Sequence, residues 1–213
     1  MKLSTLRSTF TALFAALICV GTFISIPLPG GVPITVQNMF AILGACVLGG
    51  IHGAGAVGIF ITLGGLGLHV FSGMTGGIGI IAGPTGGFFI GYFIGALAAG
   101  LIAGTPSTLE KRFRWKTWLR LMAASAVGFT LVYVPAIPWF ISVMASRGKS
   151  VDIQTALSWT LVPFIPGDVI KCIVTVPLAA VLRPVVARYL HPADEDERMF
   201  NELKQRLEKE GRL

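Results

Sequence analysis

Charged residues are scarce in this sequence and missing altogether from nearly half of it. No Asp, Glu, Lys or Arg occurs between Ser8 and Leu109 in the chain of 213 residues. Over the whole chain 13% of residues are charged, where soluble domains carry about 25%. A water-soluble fold needs polar side chains on the outward face of every element, so this segment cannot form one. The scarcity of charge, together with a mean hydropathy of +0.77, predicts a protein that spans a membrane several times.

Several motifs of catalytic and cofactor-binding proteins are also missing. No GxxxxGK[ST] phosphate-binding loop is present, so the chain does not hydrolyse ATP in the usual way. The run GGIGIIAG matches a dinucleotide fingerprint only in part, since no strand precedes it and no acidic residue follows. The few cysteines and histidines show no disulfide, metal or catalytic spacing: Cys19, Cys46, Cys172, His52, His69 and His191. We therefore expect no enzyme, no metal and no cofactor.

The net charge of +7 indicates topology rather than nucleic-acid binding. Positive residues accumulate in cytoplasmic loops of membrane proteins. With both termini in the cytoplasm, Lys2, Arg7, the cluster at 111–120 and the residues from Arg183 onward all lie on that side. Arg147 and Lys149 alone among the loop cations then lie outside. The bias predicts cytoplasmic N- and C-termini.

Six apolar segments are long enough to be spanning helices, because about 20 residues cross the hydrocarbon of a bilayer. The sequence thus predicts an all-α membrane protein with six transmembrane helices. The first segment is expected to be retained, because it is too long for a signal-peptide core. Residues 1–190 form the predicted transmembrane substrate-binding domain, and residues 191–213 a charged, helical cytoplasmic tail. The segments are 7–26, 34–49, 54–70, 88–103, 117–145 (interrupted by Pro135 and Pro138) and 167–189.

Three proline- and glycine-rich stretches share the outer face in this topology: residues 27–33, 71–87 and 160–168. Irregular backbone at membrane depth is tolerated only where it is buried in protein or lines a polar cavity. The stretches therefore favour a capped pocket open to the exterior. The alternative is that they are merely loops.

Asp168 and Lys171 stand out at the head of the last apolar segment. They are the only charged residues between Asp152 and Arg183. Spaced i and i+3, they share one helix face, and ionisable groups within membrane spans usually mark a site or a pathway. The pair offers an acceptor beside a donor, which suits a ligand with adjacent N–H groups and a carbonyl. The alternative is an ion pair that only fixes the helix.

Four further residues are candidates for ligand contact. Thr85 and Gly86 precede a helix whose free N–H groups could face a ligand, although Thr85 could equally cap that helix. Gln37 lies on an apolar helix and needs a partner, either a ligand or another helix. Phe164 could line the same cavity, as could Phe71, Tyr133, Trp139 and Trp159, although aromatic residues near span ends are often interface anchors.

Small residues recur at four-residue spacing on two predicted helices. Ala12 and Ala16 lie on the first, and Gly91, Gly95 and Ala99 on the fourth. Such spacing permits close helix contact in lipid. The contact may be formed within the bundle or with another protein, and the residues alone slightly favour the bundle.

Three motifs in order, PLPGGVPITVQ, GPTGGFFIGYFIG and PFIPGDVIK, closely resemble the BioY family of biotin transporters, over about residues 10–190. The resemblance implies a substrate-binding (S) component of an energy-coupling factor (ECF) transporter, with biotin held near the outer surface. It implies that Asp168 and Lys171 contact the ureido ring. It also implies that Ala12 and Ala16 dock onto the energising module, which reverses the preference stated above.

The implied partners are biotin, the lipid bilayer, and a module of one transmembrane coupling protein and two ATPases. Solitary function or a homo-oligomer is the alternative, and no nucleic acid is expected. The biotin carboxylate has no basic residue available on helices 2–4, which leaves helix N-termini, Thr85, Gln37 or solvent to receive it. Other functions kept open are binding of another small vitamin, proton-coupled secondary transport, and a structural role in which Asp168 and Lys171 lock helix 6.

Overall fold

The computed structural model describes residues 3–26, 28, 32–108, 115–190, 199–200, 203–208 and 210. Within these residues the chain is mostly helical, with one short hairpin and several connections between the longer helices, the longest of which is the glycine-rich loop at residues 66–85. The helices are α1 (Leu3–Val20), α2 (Gln37–Leu48), α3 (Gly50–Gly65), α4 (Ile78–Ile81), α5 (Gly86–Ala103), α6 (Trp115–Ser146), α7 (Ile153–Thr160) and α8 (Ile165–Leu190).

Helices of two lengths make up the bundle. Among the described residues, four helical stretches are long and apolar enough to cross a membrane: Leu3–Phe23, Gly86–Ala103, Trp115–Ser146 and Ile165–Leu190. The apolar helices α2 and α3 are shorter, at 12 and 16 residues. They are separated by Gly49 alone, whose φ of +89° is a conformation that favours glycine. Each predicted apolar segment thus corresponds to a helix, and the sequence did not predict the short helices α4 and α7.

The predicted boundaries of the first three helices are wrong by several residues. After α1 the chain makes a 3₁₀ turn at Gly21–Phe23, and Ser25–Ile26 (β1) then pairs antiparallel with Ile34–Thr35 (β2). Residues before proline avoid the helical region, and the prolines of IPLPGGVP favour this hairpin over the helical ends predicted at Ile26 and Ile34. Helix α3 begins four residues before the predicted Ala54 and ends at Gly65, before the predicted Val70.

Helix α6 is continuous through Pro135 and Pro138, so the predicted interruption is wrong. Each proline removes one backbone hydrogen bond, a loss that membrane helices tolerate where neighbours pack closely. Here α5 packs directly on α6. A Cβ added at Gly91 would lie 2.2 Å from the carbonyl oxygen of Val132, and one at Gly95 would lie 2.5 Å from that of Gly128. The small-residue stripe of α5 is therefore a contact inside the bundle.

Arg183 lies inside the protein, although the sequence counts it with the charges of the cytoplasmic tail. Its side chain is fully buried. Nη1 donates to the carbonyls of Cys46 and Gly104 (3.2 Å to Gly104), and Nη2 donates to that of Thr105 at 3.0 Å. The last carbonyls of a helix lack helical partners and carry partial negative charge. Arg183 therefore binds the ends of α2 and α5 to α8.

The two ends of the bundle differ in character. The rings of Phe10 in α1 and Tyr189 in α8 lie 6.0 Å apart, so the start of α1 and the end of α8 are neighbours. The hairpin, the glycine-rich loop and the start of α8 lie at the other end. Of the predicted basic cluster, residues 111–114 lie outside the described residues, as does most of the tail, in which residues 203–208 are helical.

Candidate ligand-binding site

Asp168 and Lys171 form a buried ion pair in the first turns of α8. Lys171 Nζ lies 3.0 Å from Asp168 Oδ1, and each residue is 8% exposed. The carboxylate lies at the positive end of the helix dipole, which stabilises it there. Buried charges are costly unless they are paired and hydrogen-bonded, so further partners are expected around this pair.

Two polar side chains from other helices supply those partners. Asn38 of α2 donates through Nδ2 to Asp168 Oδ1 at 3.2 Å, and its Oδ1 accepts from Lys171 Nζ at 2.9 Å. The Tyr133 hydroxyl of α6 donates to the other carboxylate oxygen, Oδ2. All four side chains are buried. We name Asn38, Tyr133, Asp168 and Lys171 the polar cluster; it joins α2, α6 and α8.

The polar cluster was only half predicted from the sequence. Asn38 was missed, although a second amide beside Gln37 on an apolar helix is a signal of the same kind. Tyr133 was considered only as an aromatic wall, because nothing in the sequence shows that its hydroxyl reaches a carboxylate 35 residues away.

The polar cluster borders a small cavity of about 10 Å³, which Phe164 also lines. That volume is close to one water molecule. Pro33, Thr35, Phe88 and Tyr92 line it too, and the same four residues line a second, much larger cavity. The two cavities are therefore adjacent, with aromatic side chains between them.

The large cavity has a volume of about 590 Å³, within the roughly 300–1,000 Å³ typical of small-molecule sites. Its walls come from the hairpin, the glycine-rich loop and the start of α5. Gln37 and Thr85, both predicted, are among its lining residues, as is Arg147 at the end of α6. Residues of two of the three stretches that the sequence placed together, 27–33 and 71–87, line this cavity, whereas the third stretch, 160–168, does not.

The remaining candidates have specific structural roles. Gln37 finds its partner in the protein, because its Nε2 donates to the carbonyl of Val70 at 2.9 Å. Thr85 occupies the N-cap of α5 but makes no side-chain capping bond, which leaves its cavity-lining position as the notable feature. Gly86 lines neither cavity. A Cβ there would lie 1.9 Å from the carbonyl oxygen of Ile81, so tight packing under the loop requires glycine.

Aromatic side chains hold the cavity walls in place. Phe71 of the loop stacks on Phe89 with ring centroids 4.3 Å apart. Trp139 donates through Nε1 to the carbonyl of Gly83 at 2.9 Å and so ties the loop to α6. Trp159 packs edge-on against Phe140 and lines neither cavity.

Ala12 and Ala16 line neither cavity, and both face outward. Both are exposed on α1, whereas the neighbouring Ala15 is buried in the core. The small-residue stripe of α1 therefore differs from that of α5, since it makes no close contact inside the bundle.

The helices and the site together define a helical membrane protein with a cavity at one end of its bundle. The family model of the BioY family matches residues 1–188. The chain belongs to the BioY family, and the resemblance drawn from its three motifs is confirmed.

Individual relatives agree with the family. The biotin transporter BioY of Thermotoga maritima is 37% identical over 171 residues, which are 80% of this chain and 92% of that protein. The biotin transporter BioY of Rhodobacter capsulatus is 39% identical over 173 residues, or 78% and 87%. A crystal structure of the S-component for biotin from an ECF-type ABC transporter superposes with a TM-score of 0.71 at 29% identity, covering 84% of this chain and 92% of that one. The relatives are transporters and not enzymes.

Proposed function

We propose that this chain binds biotin and takes it up across the cytoplasmic membrane as the S component of an ECF transporter. The observation that carries the proposal is the buried polar cluster beside a cavity of about 590 Å³. A membrane protein keeps such a cluster at a cost. The relatives that share this fold are biotin transporters.

The polar cluster suits the ureido ring of biotin, which carries two N–H donors and one carbonyl acceptor. Asp168 is the acceptor for an N–H group through Oδ2, which among the described residues accepts from Tyr133 alone, whereas Oδ1 already accepts from Asn38 and Lys171. Lys171 and Asn38 supply N–H groups for the carbonyl. Hydrogen bonds to charged groups are stronger than those between neutral groups, and burial excludes the water that would compete for them.

Binding at the polar cluster requires movement of the aromatic side chains between the two cavities. The small cavity of about 10 Å³ cannot hold a bicyclic ring, whereas the large one can. Phe88 and Tyr92 line both. Their displacement merges the cavities, so that the ureido ring reaches Asp168 while the valerate chain stays in the larger space.

The proposed topology has six spans with both termini in the cytoplasm, residues 1–190 forming the transmembrane domain and 191–213 a cytoplasmic tail. The contact between Phe10 and Tyr189 supports a common side for the two termini. The ligand cavity lies at the opposite end of the bundle and therefore opens to the exterior. Helices α2 and α3 each form one of the six spans, although both are short.

The exposed pair Ala12 and Ala16 is the proposed docking surface for the coupling protein of an ECF module, which also contains two ATPases. Small exposed residues let another helix approach the backbone closely. We expect Ala12→Trp with Ala16→Trp to reduce uptake of radiolabelled biotin at least about tenfold. The measurement uses cells that lack biotin synthesis and transport and that co-express the module.

A matched control is Ala126→Trp, which places the same side chain at an exposed alanine of α6. This control should transport normally, and both proteins should bind biotin with unchanged affinity. Uptake that is equal with and without the module would argue for a solitary or proton-coupled carrier. Loss of biotin binding in the α1 variant would show that the alanines serve the fold rather than docking.

A further inference from the structure

Arg147 is the charged residue of the large cavity. Among the described residues that line it, every other one is apolar, glycine or uncharged polar. The polar cluster lines only the small cavity, through Asn38, Tyr133 and Lys171. Each cavity is therefore lined by one charged side chain, Arg147 in the large cavity and Lys171 in the small one.

The backbone at Arg147 is fixed by the way α6 ends. The N–H of Gly148 donates to the carbonyl of Ala145 at 3.0 Å, and the N–H of Lys149 donates to that of Met144 at 3.0 Å. With the φ of Gly148 at +75°, these bonds form a Schellman motif. Arg147 is the C-cap residue of this motif, so its side chain leaves the helix at a defined point beside the cavity.

No carboxylate of the described residues forms an ion pair with Arg147. The nearest one in sequence, Asp152, serves as the N-cap of α7 and accepts hydrogen bonds from the N–H groups of Gln154 and Thr155. Hydrogen bonds from the side chain and the backbone N–H of Thr155 hold the pKa of the Asp152 carboxyl below its usual range. The guanidinium of Arg147 is thus available to an anion in the cavity.

We propose that Arg147 binds the carboxylate of the ligand and makes the site selective for the free acid. The proposal rests on the proposed function, since the ureido ring must occupy the polar cluster for the other end of biotin to reach Arg147. A guanidinium matches a carboxylate with two parallel hydrogen bonds. The sequence identified Arg147 only as a loop cation on the outer side, where the topology bias expects few positive residues. The hairpin, the glycine-rich loop and α5 contain no Lys or Arg.

The test compares biotin with biotinamide, which has the same rings and chain but no charge. Dissociation constants are measured by calorimetry for the wild type, Arg147→Ala, Arg147→Lys and Lys149→Ala. Lys149→Ala is the matched control, because it removes a positive charge from the same turn at a residue that does not line the cavity. The Schellman motif depends on Gly148 and the backbone, so the Arg147 variants keep the fold.

We expect Arg147→Ala to weaken biotin binding roughly tenfold, the scale of a partly exposed charge-assisted hydrogen bond, while biotinamide binding stays constant. Arg147→Lys should restore most of the affinity, and Lys149→Ala should bind both ligands as the wild type does. Equal biotin affinity in Arg147→Ala and wild type would overturn the assignment and leave the proposed function intact. An equal loss for both ligands would also overturn it, whereas a wild type that binds neither ligand removes the proposed function itself.

Discussion

Replacing Asp168 by asparagine is expected to reduce biotin affinity at least about 100-fold. Sites built to hydrogen-bond a substrate discriminate by such factors, because the buried groups are otherwise left unpaired. Asparagine removes the negative charge and turns an N–H donor toward the N–H groups of the ureido ring. Titration of the purified protein measures the effect, and Asp152→Asn is the control, since it changes an exposed carboxylate outside both cavities.

A double variant separates ligand binding from a purely structural ion pair. Asp168→Asn alone leaves Lys171 buried without its counter-charge, which destabilises proteins by several kcal/mol. Asp168→Leu with Lys171→Met removes both charges, and apolar replacements of a buried pair are often neutral for stability. We expect this double variant to fold with a lower melting temperature than the wild type, because the buried Asn38 and Tyr133 lose their partners, and to fail to bind biotin. Wild-type affinity in the double variant would show that the pair only locks α8.

Replacing Arg183 by methionine is expected to destabilise the fold by about 3–5 kcal/mol, the largest stability effect among single changes considered for this chain. The buried guanidinium binds carbonyls at the ends of two other helices, and each carbonyl left unpaired costs about 1–3 kcal/mol. Thermal unfolding in detergent, followed by circular dichroism, measures the loss.

Two further variants sharpen that measurement. Arg188→Met removes an exposed arginine from the same helix and should leave the melting temperature nearly unchanged. Arg183→Lys should recover only part of the stability, because an ammonium cannot reproduce the planar fork that reaches separate carbonyls. A melting temperature for Arg183→Met equal to that of Arg188→Met would contradict the proposed clamp.

The apolar runs allowed the helices to be predicted, because burial in lipid leaves a composition signal that does not depend on distant contacts. The pairing of Ser25–Ile26 with Ile34–Thr35 was not predicted, since strands of two residues are too short to show an alternating pattern in the sequence. The continuity of α6 was also missed. It depends on how closely α5 packs against the helix around Pro135, which is a property of two segments together.

The site was predicted to the extent that its residues are unusual in their own segment. Asp168 and Lys171 are charges in an apolar run, so the sequence alone identifies them. The bond of Gln37 to Val70 and the contact of Tyr133 with Asp168 join residues 33 and 35 positions apart, and only the fold brings them together. Arg147 was counted as a loop charge and Arg183 as a tail charge, because the positive-residue bias cannot tell a buried or cavity-lining arginine from an exposed one.

The most direct test of the proposed ligand is calorimetric titration of the purified wild-type protein with three compounds. Biotin and desthiobiotin share the ureido ring and the carboxylate chain, whereas lipoate has the carboxylate chain and a sulfur ring but no ureido group. Binding through the polar cluster predicts a single site for biotin and for desthiobiotin and no measurable binding of lipoate. A folded protein that releases no heat with biotin, or that binds lipoate as tightly as biotin, would contradict it.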